Sequence, residues 1–176
     1  IEELYQSTLK LKYYDFAILD CGLKHNIIEK FTNKGIDVKT PNWEVSLPSH
    51  KIRGRNYLKA QFSRFYLHEY FPGYENYFWL DSDTWINCPE TFQHYLKGVN
   101  EKGFAICPQV DRASSKLLNI KWFFNYPLKI NSINYKNISK SISKNMGQKY
   151  AGHYTLNAGC FGYSKNYEGL SVIQKN

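Results

Sequence analysis

Apolar and polar positions recur along this chain with two periods. Helical spacing covers residues 2–11, 24–34, 56–70, 114–126 and 134–146, and Pro89 opens a further short helix. Continuous or alternating apolar runs at 15–20, 36–39, 77–80, 104–107 and 156–163 read as strands between them. Ile27, Ile28 and Phe31 form the inward side of one helix, and Gly35 follows in the position where helices leave through a left-handed residue. Leu58, Phe62 and Phe65 mark the core face of another, which Pro72-Gly73 ends, while 40–55 reads as loop. Strands alternating with helices predict an α/β domain built on a mostly parallel sheet. No internal repeat and no clear domain boundary is visible, so 1–176 is expected to be a single domain.

Composition narrows the class. The 176 residues are 43% apolar and 22% charged, outside the low-hydrophobicity corner of disordered chains. No apolar run approaches the roughly 20 residues that cross a bilayer. The four cysteines, Cys21, Cys88, Cys107 and Cys160, have no C-x-x-C pairing, and read as free, mostly buried thiols of a reducing, cytoplasmic compartment. The net charge of +8 is uneven, since residues 101–176 carry all of the excess. Between Asp111 and Glu168 there is no acid, against Arg112 and eight lysines.

The most informative stretch is Tyr77-Phe-Trp-Leu-Asp-Ser-Asp83. Two carboxylates at i and i+2 of an extended chain point to one side, roughly 6–7 Å apart. They follow the carboxyl end of an apolar strand, where open α/β sheets bind ligands. Two hard anionic oxygens suit Mg²⁺ or Mn²⁺, which leave positions open for phosphate oxygens. An ion held by Asp81 and Asp83 would stabilise charge building on a departing nucleotide diphosphate. The same three residues also occur where an ordinary strand end simply turns into solvent.

Residues 58–87, with Leu58-Lys-Ala-Gln-Phe-Ser-Arg64 leading into Trp79-Leu-Asp-Ser-Asp-Thr-Trp-Ile86, resemble the core of GT-A glycosyltransferases, close to glycosyltransferase family 8. Leu156-Asn-Ala-Gly-Cys-Phe-Gly162 resembles the Asn-x-Gly strand of those enzymes, and 15–23 their second strand. The resemblance implies a nucleotide-diphospho-sugar donor, Mn²⁺ or Mg²⁺, and transfer of the sugar to an acceptor hydroxyl of a glycan or glycolipid. Carried over, Asp81 and Asp83 would be metal ligands, and Arg64 would approach the diphosphate or the first Asp. Lys59 is a second candidate for that task, although i to i+5 is not one helical face. Asn157, Ala158 and Gly159 would meet the donor sugar, with Gly159 allowing close backbone approach.

The resemblance also implies an opening strand ahead of 2–11 and a late metal-ligating His, neither of which these residues supply. His68 and His153 stand at the wrong places to serve as that ligand. The chain is therefore expected to be incomplete at both ends. No catalytic residue is assigned. Asp111 is a candidate, against the alternative of a loop carboxylate neutralised by Arg112.

Lys136, Lys140 and Lys144 at i, i+4, i+8 predict a basic stripe opposite Ile138, Ile142 and Met146. Such a stripe suits an anionic acceptor or peripheral contact with the inner face of a membrane, or is simply a solvated face. Nucleic acid is not expected, because arginines number four against nineteen lysines and the aromatics lie in apolar elements. The alternatives are a non-catalytic module working through its basic helix, and a nucleotidyltransferase, which would open with a Gly-rich phosphate loop.

Overall fold

A computed structural model describes residues 1–109 and 118–175. In chain order the elements begin with α1 (Glu2–Thr8), β1 (Ala17–Leu19), α2 (His25–Thr32), β2 (Asp37–Lys39) and α3 (Ser49–Ile52). A 3-10 turn over Asn56–Leu58 leads to α4 (Lys59–Ser63), α5 (Leu67–Tyr70), β3 (Asn76–Leu80), α6 (Pro89–Lys102) and β4 (Phe104–Pro108). Then come β5 (Asn119–Phe123), β6 (Tyr126–Asn131), α7 (Ile133–Ser141), α8 (Lys144–Tyr150), β7 (Leu156–Ser164) and α9 (Gly169–Lys175). The chain is mixed α/β, and it divides into two compact units, 1–105 with 159–176, and 106–158.

In the first unit β1 and β2 pair in parallel, with Ile18 opposite Val38. The crossover helix α2 buries Phe31 to 1% exposure against Ile18 and Ile36, and Gly35 leaves the helix at φ 77°. Tyr5 of α1 meets the Phe31 ring edge-on at 5.6 Å. A second sheet runs β3-β7-β4, and its β3–β7 pairing is antiparallel, with Tyr77 opposite Tyr163 and Leu80 opposite Cys160. The expected mostly parallel sheet is thus two small sheets, one parallel and one with an antiparallel pair. Tyr163 and Phe161, at 0% and 1% exposure, centre the second core, each worth about 2–3 kcal/mol of burial. The Tyr163 hydroxyl accepts from the Leu67 amide at 2.9 Å and so fixes α5 on this sheet. His68 lies in the same core, 6.2 and 6.1 Å from the Tyr77 and Tyr163 rings.

The helix expected over 56–70 is broken. Ser63 Oγ donates to the Lys59 carbonyl and Arg64 Nε to that of Ala60, both at 2.9 Å. Beyond them the backbone tightens to i→i+3 bonds from Phe65 and Tyr66, and the most buried side is Ser63, Arg64 and Leu67 rather than Leu58, Phe62 and Phe65. The loop at 40–55 contains α3, and the helix at Pro89 is not short but runs 14 residues.

In the second unit β5 and β6 form an antiparallel hairpin where a helix over 114–126 was expected; the described part of that span, 118–126, is strand and turn. Ile120, Trp122, Phe123 and Tyr126 are β-branched or aromatic, types that fit a pleated surface better than a helix. The single basic helix expected over 134–146 is also two: Ser143 accepts from the Met146 amide and starts α8. That cap breaks the stripe, putting Lys136 and Lys140 on α7 and Lys144 on α8, with Ile142 exposed at the junction. Gly147 lets the helices close, since a Cβ there would lie 2.0 Å from Ser139 Oγ. Among the described residues no disulfide forms; Cys21 and Cys160 are half-buried, but Cys88 and Cys107 are exposed, contrary to the expectation of mostly buried thiols. Among the described residues no helix is long and apolar enough to cross a membrane.

Candidate functional site

β3 ends at Leu80, and one further bond, Asp81 N–H to the Gly159 carbonyl at 2.8 Å, fixes where the first carboxylate starts. The chain then turns. Thr84 N–H returns to the Asp81 carbonyl at 2.8 Å, and Ser82 and Asp83 form the bend between them. This overturns the extended-chain geometry expected for Asp81 and Asp83, because the period of two stops at the turn. The loop is anchored beyond it by Ile86, whose amide donates to the buried Ser7 Oγ at 3.1 Å.

Asp81 is held from two sides. Trp79, two residues earlier on the strand, donates Nε1–H to Asp81 Oδ1 at 2.6 Å. Arg64 Nη2 lies 3.6 Å from the same oxygen, and its guanidinium stacks over the Trp79 ring at 5.0 Å. Arg64 is 3% exposed and Asp81 40%, so the pair has a buried cationic end and an open anionic one. Burial pulls the Arg64 value below that of an ordinary guanidinium, while Asp81 and then Cys21 pull it back up. Asp83 is exposed.

Cys21 completes this neighbourhood. Burial first, then Asp20, pushes its thiol up, against Lys59, a backbone hydrogen bond from Ala60, and Arg64. Lys59 is half-buried, with its ammonium 5.9 Å over the Trp43 ring.

A cleft of about 1660 Å³ opens here. Every residue of 11–19 and of 74–83 lines it, together with Cys21 and Arg64. Side chains of a strand alternate between faces, so a wall made of every consecutive residue is the edge of the strand. The edges of β1 and β3, each the outer strand of its sheet, therefore bound the cleft, and Asp81 and Asp83 stand at its β3 end.

The expected site residues divide accordingly. Arg64, Asp81 and the Gly159 carbonyl come together, and Asp83 lies two residues on in the turn. Asn157 and Ala158 open β7, are exposed, and belong to the second unit. Asp111 and Arg112 lie outside the described residues. Sequence reasoning missed Trp79, Cys21 and Trp43. Trp79 was readable from its i−2 spacing to Asp81 on one strand face, whereas no local signal links Trp43 to Lys59.

Among the described residues no group of three or more His, Cys, Asp and Glu stands together. Among the described residues, Asp81 and Asp83 are the carboxylates just beyond Leu80 in a cleft that Asp15, Asp37 and Glu75 also line, and Asp81 has one oxygen committed to Trp79. That donor set fits Mg²⁺ or Mn²⁺ bound by one or two carboxylates, water and substrate phosphates, and not an all-protein cage. No protein-family model, no curated protein and no solved structure matches the chain.

Proposed function

We propose that this chain is the donor-binding part of a metal-dependent, GT-A-like glycosyltransferase that moves a sugar from a nucleotide diphosphate to an acceptor hydroxyl. The observation that carries the reading is the Arg64–Trp79–Asp81 cluster at the mouth of the cleft, with Asp83 exposed beside it. A buried guanidinium is costly unless something needs it there, and here its charge abuts an open carboxylate rather than a buried one.

In this reading Asp81 and Asp83 would hold the divalent ion, which supplies charge stabilisation on the diphosphate leaving group. The Trp79 hydrogen bond fixes the Asp81 rotamer, so that the carboxylate is preorganised before donor arrives. Arg64 adds positive potential at the same end of the cleft. Gly159, whose carbonyl already receives the Asp81 amide, lets donor approach the β7 backbone without a side chain in the way.

Isothermal titration with UDP, GDP and ADP, each with Mn²⁺ and with EDTA, tests the proposal. One diphosphate should bind only with metal, and Asp83→Ala should abolish that binding. Metal-independent binding, or binding that Asp83→Ala leaves intact, refutes it.

A further inference from the structure

The β5–β6 hairpin carries a surface that the donor site does not use. Residues 121–129 are exposed throughout, on both faces of the ribbon. Trp122, Phe123, Phe124, Tyr126 and Leu128 are each between 57% and 85% exposed. A two-stranded ribbon open on both sides is marginal in water, and so many bare rings on one tip add to that cost.

Two features say what covers it. The first is at the turn, where Phe124 takes φ 49° and is the most exposed of the five. That conformation favours Gly or Asn, yet phenylalanine stands there 85% exposed, with the Phe123 ring 4.8 Å away and edge-on. Such a broken local rule points to a role outside the fold. The second is electrostatic. Lys121 stands directly across the ladder from Lys129, and like charges in that position repel. The described residues of the second unit include six lysines and no acid, so no described side chain of the unit offsets them. The rings form the tip, and the lysine pair lies two residues back from Phe123, roughly 7 Å along the strand. Interfacial segments sink about 5–10 Å into the boundary between headgroups and acyl chains. The spacing therefore puts rings among the acyl chains and ammonium groups level with phosphates.

We infer that this hairpin is an interfacial anchor, inserting its Trp122–Leu128 tip into an anionic lipid surface with Lys121 and Lys129 at the headgroups. The anchor is independent of the donor-site reading. A nucleic acid fits less well, because this unit's described residues include no arginine, the side chain that base recognition favours.

The test is flotation of the protein with vesicles of phosphatidylcholine alone or mixed with phosphatidylglycerol. The protein should float with the mixed vesicles and stay behind with the neutral ones. Phe124→Gly relieves the positive φ, so it should keep or raise thermal stability while weakening vesicle binding about tenfold. Lys121→Gln and Lys129→Gln should each weaken it about fivefold. The inference is overturned if the protein stays off both vesicles, floats equally with both, or floats as well after Phe124→Gly. A tip-dependent dimer in gel filtration that ignores vesicles would assign the surface to a second copy of the chain and overturn it too.

Discussion

Replacing Arg64 separates its structural role from its role at the cleft. Arg64→Ala removes the charged hydrogen bond to the Ala60 carbonyl, worth about 1.5–3 kcal/mol, and the stack on Trp79, worth about 0.5–2 kcal/mol. It also empties the space of a side chain that is 3% exposed, but returns the cost of keeping a guanidinium out of water. The net expectation is a loss of about 2–4 kcal/mol in urea denaturation followed by tryptophan fluorescence. The contact with Asp81 should add little. At 3.6 Å to a carboxylate that is 40% exposed, the pair is screened, and a double-mutant cycle of Arg64→Ala with Asp81→Asn should give coupling below about 1 kcal/mol. Coupling above about 2 kcal/mol would mean that the two charges satisfy one another as a closed pair. Asp81 would then be a structural counter-ion, and the case for an open carboxylate at the cleft would fail.

Two other perturbations test the surroundings. A Cβ at Gly162 would lie 2.5 Å from two carbons of the Phe78 ring and 2.9 Å from Val99 Cγ2, so Gly162→Ala should cost about 1–3 kcal/mol and lower the melting temperature by several degrees; an unchanged melting temperature would contradict this packing. The Tyr70 hydroxyl donates to the Glu44 carboxylate and accepts from the Asn42 amide at 2.8 Å, and burial, then Glu44, pushes it up to about 12. Between the ordinary tyrosine value of about 10 and that figure the folded chain holds a proton the unfolded chain has lost, so stability falls as pH rises through this window. Tyr163, raised by burial, acts with the same sign. Tyr70→Phe should therefore flatten part of the decline in urea midpoint between about pH 9 and about pH 12, and an unaltered slope would contradict the assignment.

What could be read from the residues depended on how local the cause was. Phe31 and Gly35 announced α2 and its exit because spacing and a positive φ are properties of a few neighbouring residues. Tyr77–Leu80 announced β3 for the same reason. The break after Ser63 was not legible, since it depends on Ser63 and Arg64 bonding back to carbonyls that a helix would also use. The hairpin at 119–131 was misread because its aromatics also satisfy helical spacing, and only the partner strand decides between the two. The cap at Ser143 was not foreseen, because capping competes with continuation of the helix, and the balance lies in how α7 and α8 pack around Gly147. At the site, Asp81, Asp83 and Arg64 were found through pattern. Their geometry was not, because the turn at Ser82-Asp83 depends on how β7 ends the ladder at Gly159.

The central claim is that Asp81 and Asp83 bind a divalent ion together with a nucleotide diphosphate. Electron paramagnetic resonance of Mn²⁺ reports it directly, because the sharp signal of the hydrated ion is lost on binding. Adding the protein to Mn²⁺ and the diphosphate selected by calorimetry should reduce that signal beyond what the diphosphate alone achieves, and Asp83→Asn should restore it. A signal that falls equally with the native protein and with Asp83→Asn would contradict the account.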